Sequence, residues 1–230
     1  MKRLFTVLMV ALLLVASTVI GVHAEENESK IVEEKDGTSY VLDADGTMHL
    51  FFDSQGNRVS AYDALERLSL NNTVNTAVQS VDPNNMESLR GNPTASVYSS
   101  NSMNGTRTKV TPDWAGPCTI TSGVSITTTS AWSVTGGLNI SLTNAIKNLV
   151  KAAINANGTY NESSSSTSSF SGTYNVPSGK IGAIYFTPYL TNYGVYYLDE
   201  YYNLTMLSVK TPKKVNGFTD GLYELVLRNA

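Results

Sequence analysis

Between residues 118 and 143 the chain alternates two kinds of side chain without losing phase. Even positions are mostly apolar (Cys118, Ile120, Val124, Ile126, Trp132, Val134, Leu138, Ile140, Leu142), whereas odd positions are mostly Thr, Ser, Asn or Gly. A period of two sends successive side chains to opposite faces of an extended backbone, so the segment predicts β-structure with one apolar and one hydroxyl face. Strands usually have about 3 to 10 residues. The run is therefore either one long, bent strand or two strands joined near Gly136-Gly137. At 144 the period changes. Ile146, Leu149, Val150, Ala153 and Ile154 recur at helical spacing, with Asn144 as N-cap candidate and Asn157-Gly158 as the stop. Residues 159–176 return to strand-like composition, but 163–169 are hydroxylic on both faces.

Elsewhere the pattern is shorter in range. After a Pro177-Ser178-Gly179 turn, 180–186 reads as a buried strand. Segments 203–209 and 222–227 read as closing strands on either side of an Asn216-Gly217 turn. Near the N-terminus, Asp36-Gly37, Asp45-Gly46 and Gln55-Gly56-Asn57 punctuate short β-prone runs and predict a small hairpin or meander. Ala61, Leu65 and Leu68 then predict a short helix over 61–70. The stretch 71–117 has four prolines and few apolar residues, which predicts a linker or a loop wrapping the core. The expected fold is mainly β. An elongated antiparallel, sandwich-like domain with one amphipathic helix (118–230) follows a hairpin-helix appendage (25–70).

Composition adds location and charge. Lys2-Arg3, an apolar run over 4–22 and a small-residue site ending at Ala24 predict a secretory signal, hence an extracellular protein. The formal charge of the 230-residue chain is -3, and residues 25–70 alone carry 11 acids against 4 bases, so the acidic excess belongs to the appendage. Basic residues are too sparse for counterion-release binding, which excludes a nucleic-acid partner. Cys118 is the only cysteine. No intramolecular disulfide can form, which fits a bacterial exoprotein better than a stapled eukaryotic module.

The same counts bear on chemistry. Metal sites built from several His or Cys ligands are excluded by number, and no cofactor motif is visible. With His23 leaving in the signal, His49 is the sole remaining histidine and reads as a half-exposed strand residue, so a nucleophilic triad is not expected. Asp43, Asp45 and Asp53 read as turn residues. No catalytic residue is assigned, and the expectation is a non-enzymatic protein.

Two kinds of contact surface remain. A membrane-spanning β-strand needs roughly 9–11 alternating residues. The run meets that length, with Val124, Ile126, Trp132, Val134, Leu138 and Ile140 as the membrane-contacting candidates. The order of Ser/Thr-rich alternating strand, short intervening segment, second Ser/Thr-rich strand at 159–174 and Val176-Pro177-Ser178-Gly179-Lys180 resembles the aerolysin-type, epsilon-toxin/mosquitocidal-toxin class of β-pore-forming modules over about 118–190. That resemblance implies an elongated β-module whose soluble copies assemble into a homo-oligomeric barrel. The alternation equally suits a sandwich whose even residues face a core. Seven of the thirteen tyrosines lie between 185 and 202, and Tyr189, Tyr193, Tyr196, Tyr197, Tyr201 and Tyr202 are candidates for binding a surface through their rings. The chain thus reads as a secreted protein acting at a cell surface or membrane, toxin-like in its sharpest form. The other reading is a wall- or carbohydrate-binding accessory protein that makes no pore.

Overall fold

The computed structural model describes residues 29–34, 37–69, 74–75, 91–121, 125–167 and 173–230. The segment predicted as a secretory signal, 1–24, lies outside the described residues. Strands β1 (Lys30–Glu33), β2 (Ser39–Leu42), β3 (Met48–Phe52) and β4 (Arg58–Val59) lead into helix α1 (Ala61–Ser69). Next come β5 (Val74–Asn75), β6 (Thr94–Asn104), β7 (Thr108–Lys109), β8 (Trp114–Ala115), β9 (Cys118–Thr121), β10 (Ser125–Thr129) and β11 (Ala131–Gly137). Helix α2 (Asn144–Asn157) precedes β12 (Ser163–Thr167), β13 (Thr173–Val176), β14 (Lys180–Leu198), β15 (Leu204–Pro212), β16 (Lys214–Val215), β17 (Phe218–Thr219) and β18 (Gly221–Asn229). The fold is mainly β, and every pairing among the described residues is antiparallel.

Strand β14 has 19 residues and is the spine of the main sheet. One edge is taken by β15 (Leu198↔Leu204 to Leu190↔Pro212) and then by β18 (Pro188↔Gly221 to Lys180↔Asn229). The chain between them leaves the sheet as the small β16–β17 hairpin, whose Asn216-Gly217 turn has φ values of 53° and 85° at the two central residues. The other edge is taken by β6 (Leu198↔Thr94 to Tyr189↔Asn104), then by β7 and β8. Residues 94–104 are therefore a full strand, where the sequence suggested a linker or a wrapping loop. Its small polar residues carry no alternation strong enough to announce it; the open edge of β14 defines it.

Parity along β14 divides its two faces. Even residues Ile184 and Phe186 join Tyr223, Leu225 and Leu227 of β18 in a core closed by Ile120 of β9 and Tyr174 and Val176 of β13. Odd residues Tyr193, Val195 and Tyr197 join Leu207 and Val209 of β15 beneath Val150 and Ile154 of α2. Burying such aliphatic side chains is worth about 1.5–3 kcal/mol each, so ribbon and helix hold opposite faces of the two halves. Thr143 caps α2, its Oγ1 accepting from the Ile146 amide at 3.4 Å. That moves the cap one residue before Asn144, while the stop at Gly158 is as expected.

The 25–70 unit is joined to this sheet rather than suspended from it. β3 pairs with β18 over five residues (Leu227↔Met48 to Tyr223↔Phe52), and Phe51, Val41, Val59, Ala61 and Ala64 pack around Leu222. Helix α1 spans Ala61–Ser69, close to the expected 61–70. Ser60 starts it from within, and Ser39 of β2 adds a buried Oγ that accepts from the Ala61 amide at 2.8 Å. Replacing Leu207, which is fully buried beneath α2, by Ala should lower unfolding free energy by about 2–5 kcal/mol in urea titration. A change near zero would mean that this face is not a packed core.

Candidate functional site

The two Ser/Thr-rich segments meet. β10 pairs with β12 (Ser125↔Thr167 to Thr129↔Ser163) and β9 with β13 (Cys118↔Val176 to Thr121↔Thr173), in nearly one continuous register. Ser130 extends the contact, its Oγ donating to the carbonyls of Asn161 and Glu162 at 2.6 and 2.9 Å. The sequence places a strand, a helix and a strand here in order; folding brings the outer two side by side.

The membrane-contacting candidates divide among several environments. Val124 lies outside the described residues, and Ile126 sits on β10 opposite Ser166. Trp132 and Val134 on β11, with Ile140 beyond it, pack half-buried against the core that Val150 and Ile154 of α2 share with Leu207 and Val209 of β15. Leu138 stands out, 49% exposed. Tyr160 and Glu162 fasten the return of the chain to the helix. The Lys151 ammonium lies 3.0 Å from Glu162 Oε1 and 5.2 Å from the Tyr160 ring centroid, and Tyr160 in turn tilts against Trp132 at 5.9 Å.

The tyrosine candidates also separate. Tyr193 and Tyr197 are core residues on the odd face of β14, and Tyr196, on the even face, stacks on Tyr98 with centroids 4.2 Å apart. Tyr193 and Tyr197 are structural, contrary to their assignment to a binding surface, because a strand that is covered on one face must turn half of its rings inward, and Tyr196 is half-buried on the opposite face. Tyr189 lines a cavity of about 300 Å³ with Arg67, Ser102, Asn104, Lys213 and Asp220. Burial pushes the Tyr189 phenol and the Asp220 carboxyl above their ordinary pKa values. Within that cavity Lys213 Nζ donates to Ser102 Oγ at 2.7 Å, and the Asn104 amide caps the end of α1 through the Arg67 and Leu68 carbonyls. Only Tyr201 and Tyr202 among the six are exposed.

His49 lies part-buried on strand β3, and the sequence did not foretell its partners. Its Nδ1 lies 2.6 Å from Glu224 Oε1 and its Nε2 lies 2.8 Å from Asp43 Oδ2. Both ring nitrogens face carboxylates, so the imidazolium, which donates from both, suits the geometry. Arg107 Nε meets Glu224 Oε2 at 2.5 Å while its guanidinium lies 3.6 Å above the Tyr185 ring, and Ser29 Oγ donates to Asp43 at 2.7 Å. The Glu224 hydrogen bond raises the His49 pKa above its ordinary 6.5, burial opposes it, and Asp43 adds to the rise. Burial resists ionisation of Glu224, but hydrogen bonds from His49 and Arg107 outweigh it and lower its pKa. One sign of this cluster was available in the sequence: Glu224 interrupts the apolar strand Leu222–Leu227, and a carboxylate there needs a partner.

No family model, curated protein or solved structure matches the chain. No described helix is long and apolar enough to cross a membrane, which leaves strands unaddressed.

Because its folded pKa is raised, His49 stabilises fully below about pH 6.5 and loses that contribution as pH rises through the folded value. Urea midpoints should therefore fall between neutral and mildly alkaline pH for the native protein, and fall less for His49→Gln. Equal slopes in the two proteins would refute the assignment.

Proposed function

We propose that the protein is secreted and non-enzymatic and acts at a cell surface or membrane, with pore formation on the aerolysin-type plan as the most specific form of that activity. The observation that carries this reading is the pairing of the two Ser/Thr-rich segments into an antiparallel ribbon that brackets α2. A transmembrane barrel is assembled from ribbons with one apolar and one polar face, and small hydroxyl side chains suit a narrow wet lumen. On this reading Trp132 and Val134 exchange the core they share with Val150 and Ile154 for lipid when several copies associate. Val150 and Ile154 must then leave the core, at a cost of about 1.5–3 kcal/mol each. That cost keeps the free protein soluble, and association with other copies and with lipid would offset it. The engagement of both His49 nitrogens by carboxylates supports a structural rather than a catalytic role for that residue.

Dye-loaded liposomes test the idea. The purified protein should release dye in a time- and concentration-dependent way and yield an oligomer that survives detergent electrophoresis. Absence of both with neutral and anionic vesicles would eliminate pore formation. A second reading, a wall- or carbohydrate-binding accessory protein, is favoured by the exposure of Tyr201 and Tyr202. It expects capture on insoluble wall glycan with dye release absent.

A further inference from the structure

Four hairpin loops of this chain share one construction. In 34–38, 43–47, 53–57 and 199–203, the amide of the first residue donates to the carbonyl of the fifth, and the amide of the fourth donates back to the carbonyl of the first. This three-residue loop requires a left-handed residue at its fourth position. The first three loops use Gly37, Gly46 and Gly56, with φ of 83°, 81° and 86°; the fourth uses Tyr202, with φ of 64°.

The likeness of the third and fourth loops extends to side chains. Asp53 Oδ1 accepts from the Gln55 and Asn57 amides at 2.9 and 2.8 Å, and its Oδ2 from the Asn57 side-chain amide at 3.0 Å. Asp199 accepts from the Tyr201 and Asn203 amides, both at 2.8 Å, and from the Asn203 side-chain amide at 2.9 Å. The hydrogen bonding is the same, so the loop itself gives no reason for a ring in place of Gly. Left-handed backbone is unfavourable for an aromatic residue. Strain at a position where the same chain elsewhere uses glycine points to a use for the side chain.

The surroundings say what that use is. Tyr201 is 74% exposed and Tyr202 44%, and neighbouring Leu204 and Leu138 are 42% and 49% exposed. Gly137 pairs with Thr205, and a Cβ on Gly137 would come within 2.2 Å of the Leu204 carbonyl oxygen, so this glycine permits the close approach that sets Leu138 beside the loop. Two tyrosines and two leucines thus form an apolar tip at the end of β14. Hydrogen bonds from Asn203, with burial opposing, hold the Asp199 pKa below its ordinary value, so the tip carries a carboxylate. Glu200 adds a second, and no Lys or Arg occurs in 181–209 or 131–146.

We propose that this tip is an anchor for the phosphocholine headgroups of a neutral bilayer. Tyrosine rings suit the boundary between headgroup and acyl chain, a quaternary ammonium is attracted to their faces, and the neighbouring carboxylates favour that cation while repelling an anionic surface. The proposal deepens the cell-surface reading and rests on it, but it does not require a pore.

Vesicle co-sedimentation of the purified protein tests it, with phosphatidylcholine and phosphatidylglycerol vesicles side by side. Phosphatidylcholine should be preferred, and free phosphocholine should compete. Tyr201→Ser combined with Tyr202→Gly should weaken binding at least tenfold, and Tyr202→Gly alone should raise the melting temperature by relieving φ. Preference for phosphatidylglycerol, failure to bind phosphatidylcholine, or unchanged binding by the double variant would overturn the proposal. So would a lower melting temperature for Tyr202→Gly, which would assign the ring to packing. Binding to phosphatidylcholine without dye release would sustain the anchor and eliminate only the pore.

Discussion

A strand of 19 residues exposes a backbone donor and acceptor on alternate sides along its whole length, and both edges must be satisfied. Most of this architecture answers that demand of β14. On one side β15 and β18 share the edge, separated by a small hairpin that lets the chain change register near Pro188 and Pro212. On the other side β6, β7 and β8 run almost end to end. The remaining strands of the main sheet add outward from these neighbours. Covering its faces is a separate problem, solved by a ribbon over one half and a helix over the other.

That division determines how the apolar alternation should be understood. An even-numbered face along 118–142 can satisfy either a core or a bilayer, because both demand the same side chains at the same period. Among the described residues the core takes most of it, and Leu138 is the exception. Trp132, Val134 and Ile140 pack against the core that contains Val150 and Ile154, while the alternate residues Ala131, Ser133, Thr135 and Gly137 are exposed. The proposed membrane action therefore requires this shared core to open, and the contacts of Lys151 with Glu162 and Tyr160 hold α2 to the chain beside it.

Local elements were legible in proportion to their periodicity. The Ile146–Ile154 stripe identified α2, and Ala61, Leu65 and Leu68 identified α1 within a residue. Asn216-Gly217 marked a turn, although it closes a small excursion rather than joining two long strands. Strand β14 was seen only to Phe186. Pro188 and the dense tyrosines beyond it obscure a continuation that depends on partners at both edges. β6 was not visible at all, since a strand of Ser, Asn and Thr is specified by what it borders. Sequence could nominate six tyrosines for a surface but not sort them. Sorting needs the parity of β14 and the end of the sheet, which are properties of the assembled fold. The His49 cluster joins residues up to 175 apart in sequence and was legible only as a lone charge in an apolar strand.

The length of β14 has an electrostatic consequence. The acidic N-terminal unit pairs with β18 beside Gly182 to Phe186, whereas Tyr201 and Tyr202 sit beyond Leu198. At about 3.3 Å per residue, the strand puts β3 roughly 40 Å from that loop and α1, which reaches Tyr189, roughly 30 Å from it. The Debye length in physiological salt is about 8 Å. The described carboxylates of 29–69 are therefore screened at whatever surface the tip touches, and within its own loop Asp199 and Glu200 are the charges that act there.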